Sequence, residues 1–571
     1  MKLKNFNSAV FLTQFNFENI IDFEAFEAKV KCVIENMRLS KVYLETHRSG
    51  IYVEREKLIR VKEIFEKHGI KVAGGITFTE SFNAEYEQLF GTLCYSNEKT
   101  IEEIKKIVRY TSEIFDEYVI DDFYFTHCKC DKCIEKKGHK SWSEFRLELL
   151  KDVAENVIIK ESKAVRSDMK VILKYPNWYD HYHKTGYNLE MGVSLFDGVY
   201  TGTETRDPLH TQQNIQRYSS YFLMRYIENT RPGANFGGWF DTLDCSYHLN
   251  SVVEQANLTL FAKGKECTVY NFGAITTEDA IFAPLLGYTY EKFDRIVSQI
   301  GKPKGVATYK PFHSSGEDFL HGYLGMLGIP FEPVPYFPEE EKVVFLTETA
   351  AVDKEIINKI KKYLSAGGTL FITSGFVRAL QGKGIEEIAD VQVTQNKGLV
   401  NVYGLEWKDC AYDKYYEAKE EVMLTQIDFG ANDTKNTIAG LKNNKSYPIL
   451  LETHYSKGLV YVMNIPDEYG ALRHMPKEVI DEMRRLLMQD LFVDVKGKAP
   501  FGLFVYDNDT LIIQSFAAYG NVYEFILDEK YNKLIDIETG EMFKGQCLNH
   551  QMRFEVRIKP SYYKALRAIS E

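Results

Sequence analysis

The sequence predicts a (β/α)8 barrel over residues 1–298, a flavodoxin-like α/β domain over 299–497 and a small antiparallel β-domain over 498–571. Three observations support this order. Strand-like and helical segments alternate through the first half, a compact α/β pattern follows, and the last residues alternate apolar and polar side chains. A chain of 571 residues is also too long for a single hydrophobic core.

Eight short apolar segments in the first half are predicted to be strands, because β-branched and aromatic residues dominate them. Helical segments such as FEAFEAKVKCVIENM and REKLIRVKEIFEKHG separate most of them. Eight such units over about 280 residues favour a closed parallel barrel over an open doubly wound sheet. The predicted strands, in chain order, are AVFLTQF, KVYLETHR, IKVAGGITFT, YVIDDFYF, KVILKYP, FDGVYTGTE, NFGGWFD and ECTVYNF.

The middle region predicts a second α/β domain, in which GVATY, KVVFLTE and TLFITSGF are strands separated by helices. Some domains of this fold use a cysteine nucleophile that a histidine activates. No cysteine lies between Cys267 and Cys410, so we expect a structural or oligomerising role here. Residues 405–497 have a less regular pattern. After residue 500, Asp-Asn, Tyr-Gly and Thr-Gly turns separate alternating segments, which predicts the small β-domain.

The composition narrows the class of partner. A formal net charge of −11 argues against nucleic acid as the main ligand, because phosphate binding needs a basic surface. The sequence has no run of about 18 apolar residues, so no membrane span is predicted. The first residues lack the apolar core of a signal peptide, and the nine cysteines do not form the pattern of a disulfide framework. We therefore expect a cytoplasmic protein.

Polar side chains recur where the predicted barrel strands end, whereas the strand interiors are apolar. In barrel enzymes the carboxyl ends of the strands carry the active site. The candidate site residues are Glu45, His47 and Arg48 from the second strand, Asp121 and Asp122 from the fourth, Lys174 and Trp178 from the fifth, Tyr200, Glu204 and Arg206 from the sixth, Trp239 and Asp241 from the seventh, and Asn271 from the eighth.

Paired carboxylates are typical of glycoside hydrolases, which need one group to protonate the leaving oxygen and another to act as nucleophile or base. Asp122 is the first candidate, as nucleophile or as acid/base. Alternation along a strand directs Asp121 and Asp122 to opposite faces, so only one of them should reach the site unless the strand has ended. Glu204 is the preferred partner of Asp122, and Asp241 is the alternative.

The other strand-end residues are predicted to bind substrate. Trp178 and Trp239 lie where a sugar ring could stack on an aromatic face. Lys174 could donate to a substrate hydroxyl or pair with a carboxylate. Glu45 could bind sugar hydroxyls or hold the charge of the catalytic pair. The remaining predicted substrate-binding residues are His47, Arg48, Asp121, Tyr200, Arg206 and Asn271.

A cysteine cluster follows the fourth predicted strand. Its thiols are Cys128, Cys130 and Cys133. Zinc prefers four thiolate or imidazole ligands in a tetrahedron, so a fourth ligand must come from elsewhere. Cys94, in the loop after the third strand, is the first choice, and His127 and His139 are alternatives. A closed four-ligand site leaves no position for a catalytic water, so the predicted zinc ion is structural.

A carboxylate-bearing fourth strand followed by C-x-C-x-x-C, with an upstream cysteine after the third strand, resembles the family 42 β-galactosidases of glycoside hydrolase clan A. Members of that family have a barrel, an amidotransferase-like trimerisation domain and a small β-domain, and this chain matches those parts in order and rough size. The resemblance implies a retaining, exo-acting, β-galactosidase-like enzyme that acts on small oligosaccharides. It also implies a homo-oligomer, either a trimer or a dimer.

The catalytic positions depart from the family pattern. The family has Asn-Glu at the end of the fourth strand and a Glu nucleophile on the seventh, where this chain has Asp121-Asp122 and Asp241. Three alternatives therefore stay open: a catalytically silent carbohydrate-binding barrel, a metal-dependent hydrolase, and a glycosidase of different anomeric specificity. The last would pair the carboxylates of the fourth and sixth strands, as barrels resembling clan D families do.

Overall fold

A computed structural model of the protein describes residues 2–79, 91–211, 213, 215–277, 280–408 and 411–570, and the side chains of 407 and 408 lie outside the description. The chain divides into two compact units, residues 1–298 and 299–571. The predicted boundary between residues 497 and 498 lies inside the second unit. Among the described residues, no helix combines the length and the apolar character that a bilayer crossing requires.

The first unit is a closed parallel barrel, which confirms the predicted fold class. Eight strands follow one another around it in chain order, and β1 pairs with both β2 and β9 to close the ring. The additional short strand β3 forms an antiparallel hairpin with β2. The strands are β1 (Asn7–Leu12), β2 (Lys41–Arg48), β3 (Ile51–Tyr52), β4 (Lys71–Ile76), β5 (Glu117–Ile120), β6 (Lys170–Tyr175), β7 (Gly198–Gly202), β8 (Asn235–Asp241) and β9 (Glu266–Tyr270).

Helices connect the strands, and polar caps define where several of them begin. The Asp22 and Asn97 side chains accept from the first-turn amides of α2 and α4, and Ser141 forms a capping box with Glu144 in α6. The helices are α1 (Gln14–Glu18), α2 (Phe23–Met37), α3 (Arg55–Lys67), α4 (Glu98–Ile114), α5 (Asp131–Lys137), α6 (Trp142–Val153), α7 (Lys160–Val165), α8 (Tyr182–Thr185), α9 (Leu189–Leu195), α10 (Tyr218–Thr230), α11 (Asn250–Phe261), α12 (Phe272–Thr276) and α13 (Phe282–Val297).

Side chains fill the barrel interior, so it is a packed core and not a pore. At its amino-terminal end, the Lys41 ammonium lies 2.5 Å from a Glu117 oxygen and 3.8 Å from a Glu266 oxygen. The core above it consists of the buried residues Ala9, Phe11, Tyr43, Ala73, Val119, Ile172, Tyr200 and Trp239. The next inward-facing positions, two residues further along each strand, lie at the carboxyl ends.

The second unit contains one large mixed sheet and two smaller antiparallel sheets. Five parallel strands of the large sheet run in the order β12-β11-β13-β14-β19, and β18, β17, β15 and β16 extend it with antiparallel strands. The elements of this part are β10 (Pro303–Lys304), β11 (Val306–Tyr309), α14 (Leu320–Gly325), β12 (Phe331–Val334), β13 (Val343–Leu346), α15 (Ile356–Ser365), β14 (Thr369–Thr373), α16 (Ser374–Leu380), β15 (Val391–Lys408), β16 (Ala411–Phe429), β17 (Lys435–Lys442), β18 (Lys445–Tyr455), β19 (Gly458–Met463) and α17 (Lys477–Leu487).

The long β15–β16 hairpin differs from the irregular pattern expected for residues 405–497. Its outer strand, AYDKYYEAKEEVMLTQIDF, is charged and largely exposed, so hydrophobic alternation marks it only weakly. The predicted C-terminal β-structure is present as two antiparallel sheets. Their strands are β20 (Val493–Lys496), β21 (Phe501–Tyr506), β22 (Thr510–Ser515), β23 (Asn521–Asp528), β24 (Tyr531–Asp536), β25 (Met542–Lys544), β26 (Gln546–Leu548), β27 (Gln551–Ile558) and β28 (Tyr563–Ser570).

Candidate active site

Lys174 lies at the centre of the charged cluster at the carboxyl end of the barrel. It follows Ile172 of the barrel core by two residues on β6, so its side chain also points inward. The ammonium nitrogen lies 2.9 Å from Asp122 Oδ2, 2.7 Å from Glu204 Oε1 and 3.4 Å from Asp121 Oδ1. Burial lowers the pKa of Lys174, but the three carboxylates outweigh burial and hold it well above its usual value. Lys174 is therefore a permanent cation.

Asp122 is the carboxylate of this cluster that is most open to solvent, with 19% of its side chain exposed. Its pKa is raised to about 7, first by burial and then by the charges of Asp121 and Glu204, while Lys174 offsets part of the increase. A carboxyl group with this pKa can both give and take a proton near neutral pH.

Asp121 has partners on both oxygens. Oδ1 accepts from the Asp122 amide at 2.9 Å, and Oδ2 accepts from Arg48 Nη2 at 3.1 Å. Burial raises its pKa, but Lys174 and Arg48 together lower it below the usual value. Since β5 ends at Ile120, the strand alternation no longer applies, and both aspartates contact Lys174.

Glu45 supports Arg48 and lies beneath the surface of the site. Its side chain is fully buried and accepts from Arg48 Nε at 2.9 Å, from the Gln14 amide at 2.6 Å and from the Thr77 hydroxyl. The prediction that Glu45 binds sugar hydroxyls is therefore wrong, because protein donors occupy it below the surface. The alternative, that it holds charge near the catalytic pair, agrees with its contact to Arg48.

Glu204 follows β7, and its carboxylate lies 2.7 Å from the Lys174 ammonium. A glycine two residues earlier makes this possible, since a Cβ on Gly202 would lie 2.6 Å from Glu204 Oε2. The Asn177 side chain donates to the Glu204 backbone carbonyl at 2.8 Å and fixes the loop. Burial raises the pKa of Glu204, and the charge of Asp241 adds to this effect while Lys174 opposes it.

Asp241 ends β8 and forms a second ion pair. Arg206 clamps it, with Nε 3.0 Å from Oδ1 and Nη2 2.7 Å from Oδ2. The pKa of Asp241 is nevertheless raised, because burial outweighs the guanidinium. The site thus presents three carboxylates around Lys174 and a fourth carboxylate on Arg206.

His47 lies outside the site, contrary to the prediction. It should share the inward face with Glu45, but the register of β2 against β4 shifts between these two residues. The ring instead packs against Tyr52, and its Nδ1 lies 3.2 Å from the Thr77 carbonyl. Burial lowers the pKa of His47 to about 4, so it is neutral at physiological pH.

Tyr200 and Trp239 belong to the core layer below the site, so both predicted substrate-binding roles are wrong. The Tyr200 hydroxyl points to the amino-terminal end, 2.5 Å from the Tyr43 hydroxyl and 2.8 Å from Glu266 Oε1. Trp239 is 1% exposed, and the Lys174 ammonium lies 5.4 Å from its ring centre. Trp239 therefore forms a floor beneath Lys174 and offers no face on which a sugar could stack.

Two further predicted residues lie on loops at the same end of the barrel. Trp178, in the loop after β6, is partly exposed and packs edge-on against Phe125, with 5.1 Å between ring centres. Asn271 follows β9, and its side-chain oxygen caps α12 by accepting from the Ala274 amide. It also lines a cleft of about 660 Å³ between the loops that follow β1, β8 and β9.

Sequence reasoning did not identify two residues that position the carboxylates. The Tyr187 hydroxyl donates to the Asp122 carbonyl at 2.6 Å, and Asn177 holds the Glu204 loop. Both lie in loop segments after β6, away from any strand end. The proline that precedes Asn177 marks a turn, but no sequence pattern indicates which carbonyl the side chain contacts.

The four predicted cysteines converge. Their Sγ atoms all lie within 4.8 Å of one another, and Cys94 Sγ is 3.6 Å from both Cys130 Sγ and Cys133 Sγ. Four ligands at about 2.3 Å from a tetrahedral zinc ion are separated by roughly 3.8 Å, so the donor set fits the ion. His127 packs against Phe125, and His139 is exposed. Neither alternative fourth ligand is part of the cluster.

Comparison with known families follows the same division of the chain. Residues 1–315 match the family described as "Probable glycosyl hydrolase, catalytic domain". The chain belongs to this family. Residues 492–568 match the C-terminal domain of probable glycosyl hydrolases, and residues 301–468 match the second domain of an uncharacterized protein. The protein is therefore a glycoside hydrolase, and this confirms the predicted class of enzyme.

An uncharacterized protein of Saccharolobus solfataricus is 22% identical over 534 residues, which cover 87% of each chain. Among solved structures, the GH42 β-galactosidase Gan42B of G. stearothermophilus aligns with a TM-score of 0.67 at 11% identity, over 100% of this chain and 99% of its own. The β-galactosidase of Rahnella sp. R3 aligns with a TM-score of 0.65 at 10% identity, over 100% of this glycoside hydrolase and 99% of its own chain. These similarities confirm the predicted likeness of fold to family 42.

Proposed function

We propose that this glycoside hydrolase releases terminal sugars from small oligosaccharides with retention of configuration, with Asp122 as general acid/base and Glu204 as nucleophile. The shared contact with Lys174 carries the proposal. Because Asp122 Oδ2 and Glu204 Oε1 lie 2.9 and 2.7 Å from one nitrogen, the two oxygens are less than about 6 Å apart. Retaining enzymes separate their carboxyl groups by about 5–5.5 Å, and inverting enzymes by about 6.5–9.5 Å.

The proposed reaction has two displacements. Glu204 attacks the anomeric carbon while protonated Asp122 gives its proton to the glycosidic oxygen, so the leaving group departs as an alcohol and a glycosyl ester forms. Asp122, now ionised, takes a proton from water. The resulting hydroxide attacks the ester, releases the sugar and frees the Glu204 carboxylate, with Asp122 again protonated.

The environments of the two groups suit these roles. A pKa of about 7 leaves Asp122 partly protonated at neutral pH, as the first step requires. Lys174 lies 2.7 Å from Glu204 and opposes the burial that raises the pKa of this nucleophile. Lys174 and Arg48 keep Asp121 ionised nearby, and this negative charge favours retention of the proton on Asp122.

The β-galactosidase-like, exo-acting specificity rests on the family resemblance and on the activity of the structural relatives, which are β-galactosidases. A second candidate is a glycosidase of different anomeric specificity. The Asp122–Glu204 pair favours it, because it joins the fourth and sixth barrel strands and not the fourth and seventh. Aryl α- and β-glycosides of galactose, glucose and mannose, tested as a matched panel, distinguish the two.

The nucleophile is tested with E204A and D241A, each assayed with and without azide. We expect E204A to lose about 10³-fold or more in kcat, and azide to restore turnover by yielding a glycosyl azide of inverted configuration. D241A should give no such product. If D241A forms the azide and E204A does not, Asp241 is the nucleophile and the proposed pair is wrong.

We also propose that the four-cysteine cluster holds a structural zinc ion, which would tie the loop after β4 to the loop after β5. Metal analysis of the purified protein should find one zinc per chain. C94S should lose this ion and unfold at lower temperature, because site formation is coupled to folding. C32S removes an exposed thiol outside the cluster and is the control. If the wild-type protein contains no metal and unfolds at the same temperature as C94S, the proposed zinc ion is excluded.

We also propose that the protein is a cytoplasmic homo-oligomer, either a trimer or a dimer. The isolated cysteines support a reducing compartment, and the family resemblance supports the homo-oligomer. Light scattering of the purified full chain measures the number of copies. A mass of one 66.0 kDa chain across micromolar concentrations would contradict this proposal.

A further inference from the structure

A second group of metal-ligating side chains lies near the carboxylate site and takes no part in the proposed reaction. Asp207 follows Arg206 in the loop after β7, and His248 lies in the loop after β8. Asp207 Oδ2 is 2.8 Å from His210 Nδ1 and also contacts His248 Nδ1 directly. The three ligand atoms all lie within 4.8 Å of one another.

The Asp207 carboxylate is buried and held by a backbone amide, whereas the two imidazole rings lie at the surface. Asp207 is 1% exposed, and its Oδ1 accepts from the Leu209 amide at 3.0 Å, which leaves Oδ2 for the imidazoles. The side chains of His210 and His248 are 36% and 51% exposed. The His210 ring also stacks on Tyr247, with 4.5 Å between ring centres. A cation could therefore reach the three atoms from solvent without opening the barrel.

We propose that Asp207, His210 and His248 bind a divalent transition-metal ion of the zinc class. Two imidazole nitrogens and one carboxylate oxygen are a ligand set that zinc and its neighbours prefer, whereas magnesium and calcium prefer oxygen alone. Ligands at about 2.0–2.1 Å from a tetrahedral ion are separated by roughly 3.3 Å. The His210 ring therefore needs to withdraw from Asp207 by about half an ångström, and the His248 ring by about one ångström. Three protein ligands leave a fourth position open to solvent.

The ion would cross-link the loops that follow β7 and β8. Arg206 lies in the first of these loops and Asp241 is the last residue of β8, and the two form the ion pair described above. The site is chemically distinct from the cysteine cluster, whose thiolates lie after β4 and β5. Zinc in the cysteine cluster and an ion on this triad are therefore separate predictions, and either can fail alone.

The test titrates Co²⁺ into full-length protein that has first been given one equivalent of Zn²⁺. We expect a further equivalent of Co²⁺ to bind and to produce visible d–d absorption without the near-ultraviolet thiolate band. D207N and H248A should weaken this binding by about 10-fold to 100-fold. H550A is the matched control, because His550 also pairs with a carboxylate, Glu529, at 3.1 Å on the surface, but no second imidazole joins them among the residues that the structure describes.

The proposal is overturned if no further equivalent binds, or if D207N and H248A bind it as the wild type does. A measurement on the wild type covers the case in which the variants misfold. With ¹⁵N-labelled histidine, Zn²⁺ added beyond the first equivalent should shift two Nδ1 resonances together. If neither resonance moves, the three groups form only a hydrogen-bonded cluster.

Discussion

A lysine lies among carboxylates at both ends of the barrel, but the two ends differ in charge balance. At the amino-terminal end Lys41 and Lys71 face Glu117 and Glu266, with Glu117 bonded to both lysines at 2.5 and 2.6 Å. Burial raises the pKa of Glu117, but the two lysines reverse the effect and lower it. This end is neutral overall and closes the barrel.

The carboxyl end has more carboxylates than cations. Lys174 and Arg48 face the four carboxylates Glu45, Asp121, Asp122 and Glu204. Both ends are buried, so burial alone does not explain why Asp122 has a pKa of about 7 while Glu117 is acidic. The excess of negative charge favours the bound proton, and the same fold thus provides a structural end and an end where a carboxyl group holds a proton near neutral pH.

The largest effect is expected for D122N, which tests whether Asp122 gives its proton to the glycosidic oxygen. D122N should lower kcat/KM for substrates with poor leaving groups by about 10³-fold, since general acid catalysis typically contributes about 10²-fold to 10⁴-fold. Aryl substrates with activated leaving groups should lose much less. Steady-state kinetics with a series of aryl glycosides measures this dependence. E117Q, at the other end of the barrel, should leave kcat/KM for both kinds of substrate within about twofold of wild type. If D122N lost the same factor for every leaving group, the acid role of Asp122 would be contradicted.

The next largest effect is expected when the buried lysine at either end of the barrel, Lys174 or Lys41, is replaced by methionine. Because the Lys174 charge lowers the pKa of Asp122, K174M should raise it, and the alkaline limb of the kcat/KM profile should move up by about one pH unit or more. The rate at the optimum should also fall, as the Glu204 charge loses its partner.

K41M is the matched variant at the amino-terminal end. It should cost about 3–5 kcal/mol of stability, because it removes a buried ammonium from Glu266 and leaves Glu117 with only the exposed Lys71, but the alkaline limb should stay in place. Thermal unfolding and the pH profile of each purified variant measure the two effects. If the alkaline limb of the kcat/KM profile moved as far in K41M as in K174M, charges at both ends of the barrel would affect the pKa of Asp122, and the contrast between the two ends would be wrong.

The sequence predicted the barrel and the polar ring because strand periodicity and the location of barrel active sites are general properties. It did not predict the layer of each side chain. Tyr200 and Trp239 lie two residues before the strand ends at Gly202 and Asp241, so they belong to the barrel core. Only the register of the strands shows where the core ends and the site begins. The bulge that turns His47 outward has no clear sequence pattern. The convergence of three carboxylates on Lys174 depends on packing among separate strands.

The smallest effect is on stability, and its sign should be opposite at the two ends. The folded pKa of Asp122, about 7, lies above its ordinary value of 3.8, so folding favours the protonated form. The stability that this group contributes is present at low pH and is lost as the pH rises through about 7. Glu117 has a lowered pKa, so its contribution is present at neutral pH and is lost as the pH falls.

Relative to wild type, D122N should therefore become more stable by about 1–3 kcal/mol as the pH rises from 4 to 8. E117Q should become less stable over the same interval, because the wild-type ion pairs form as the pH rises. Denaturant unfolding of the three proteins at each pH gives the differences, and a D122N difference that does not change with pH would mean that Asp122 carries no raised pKa.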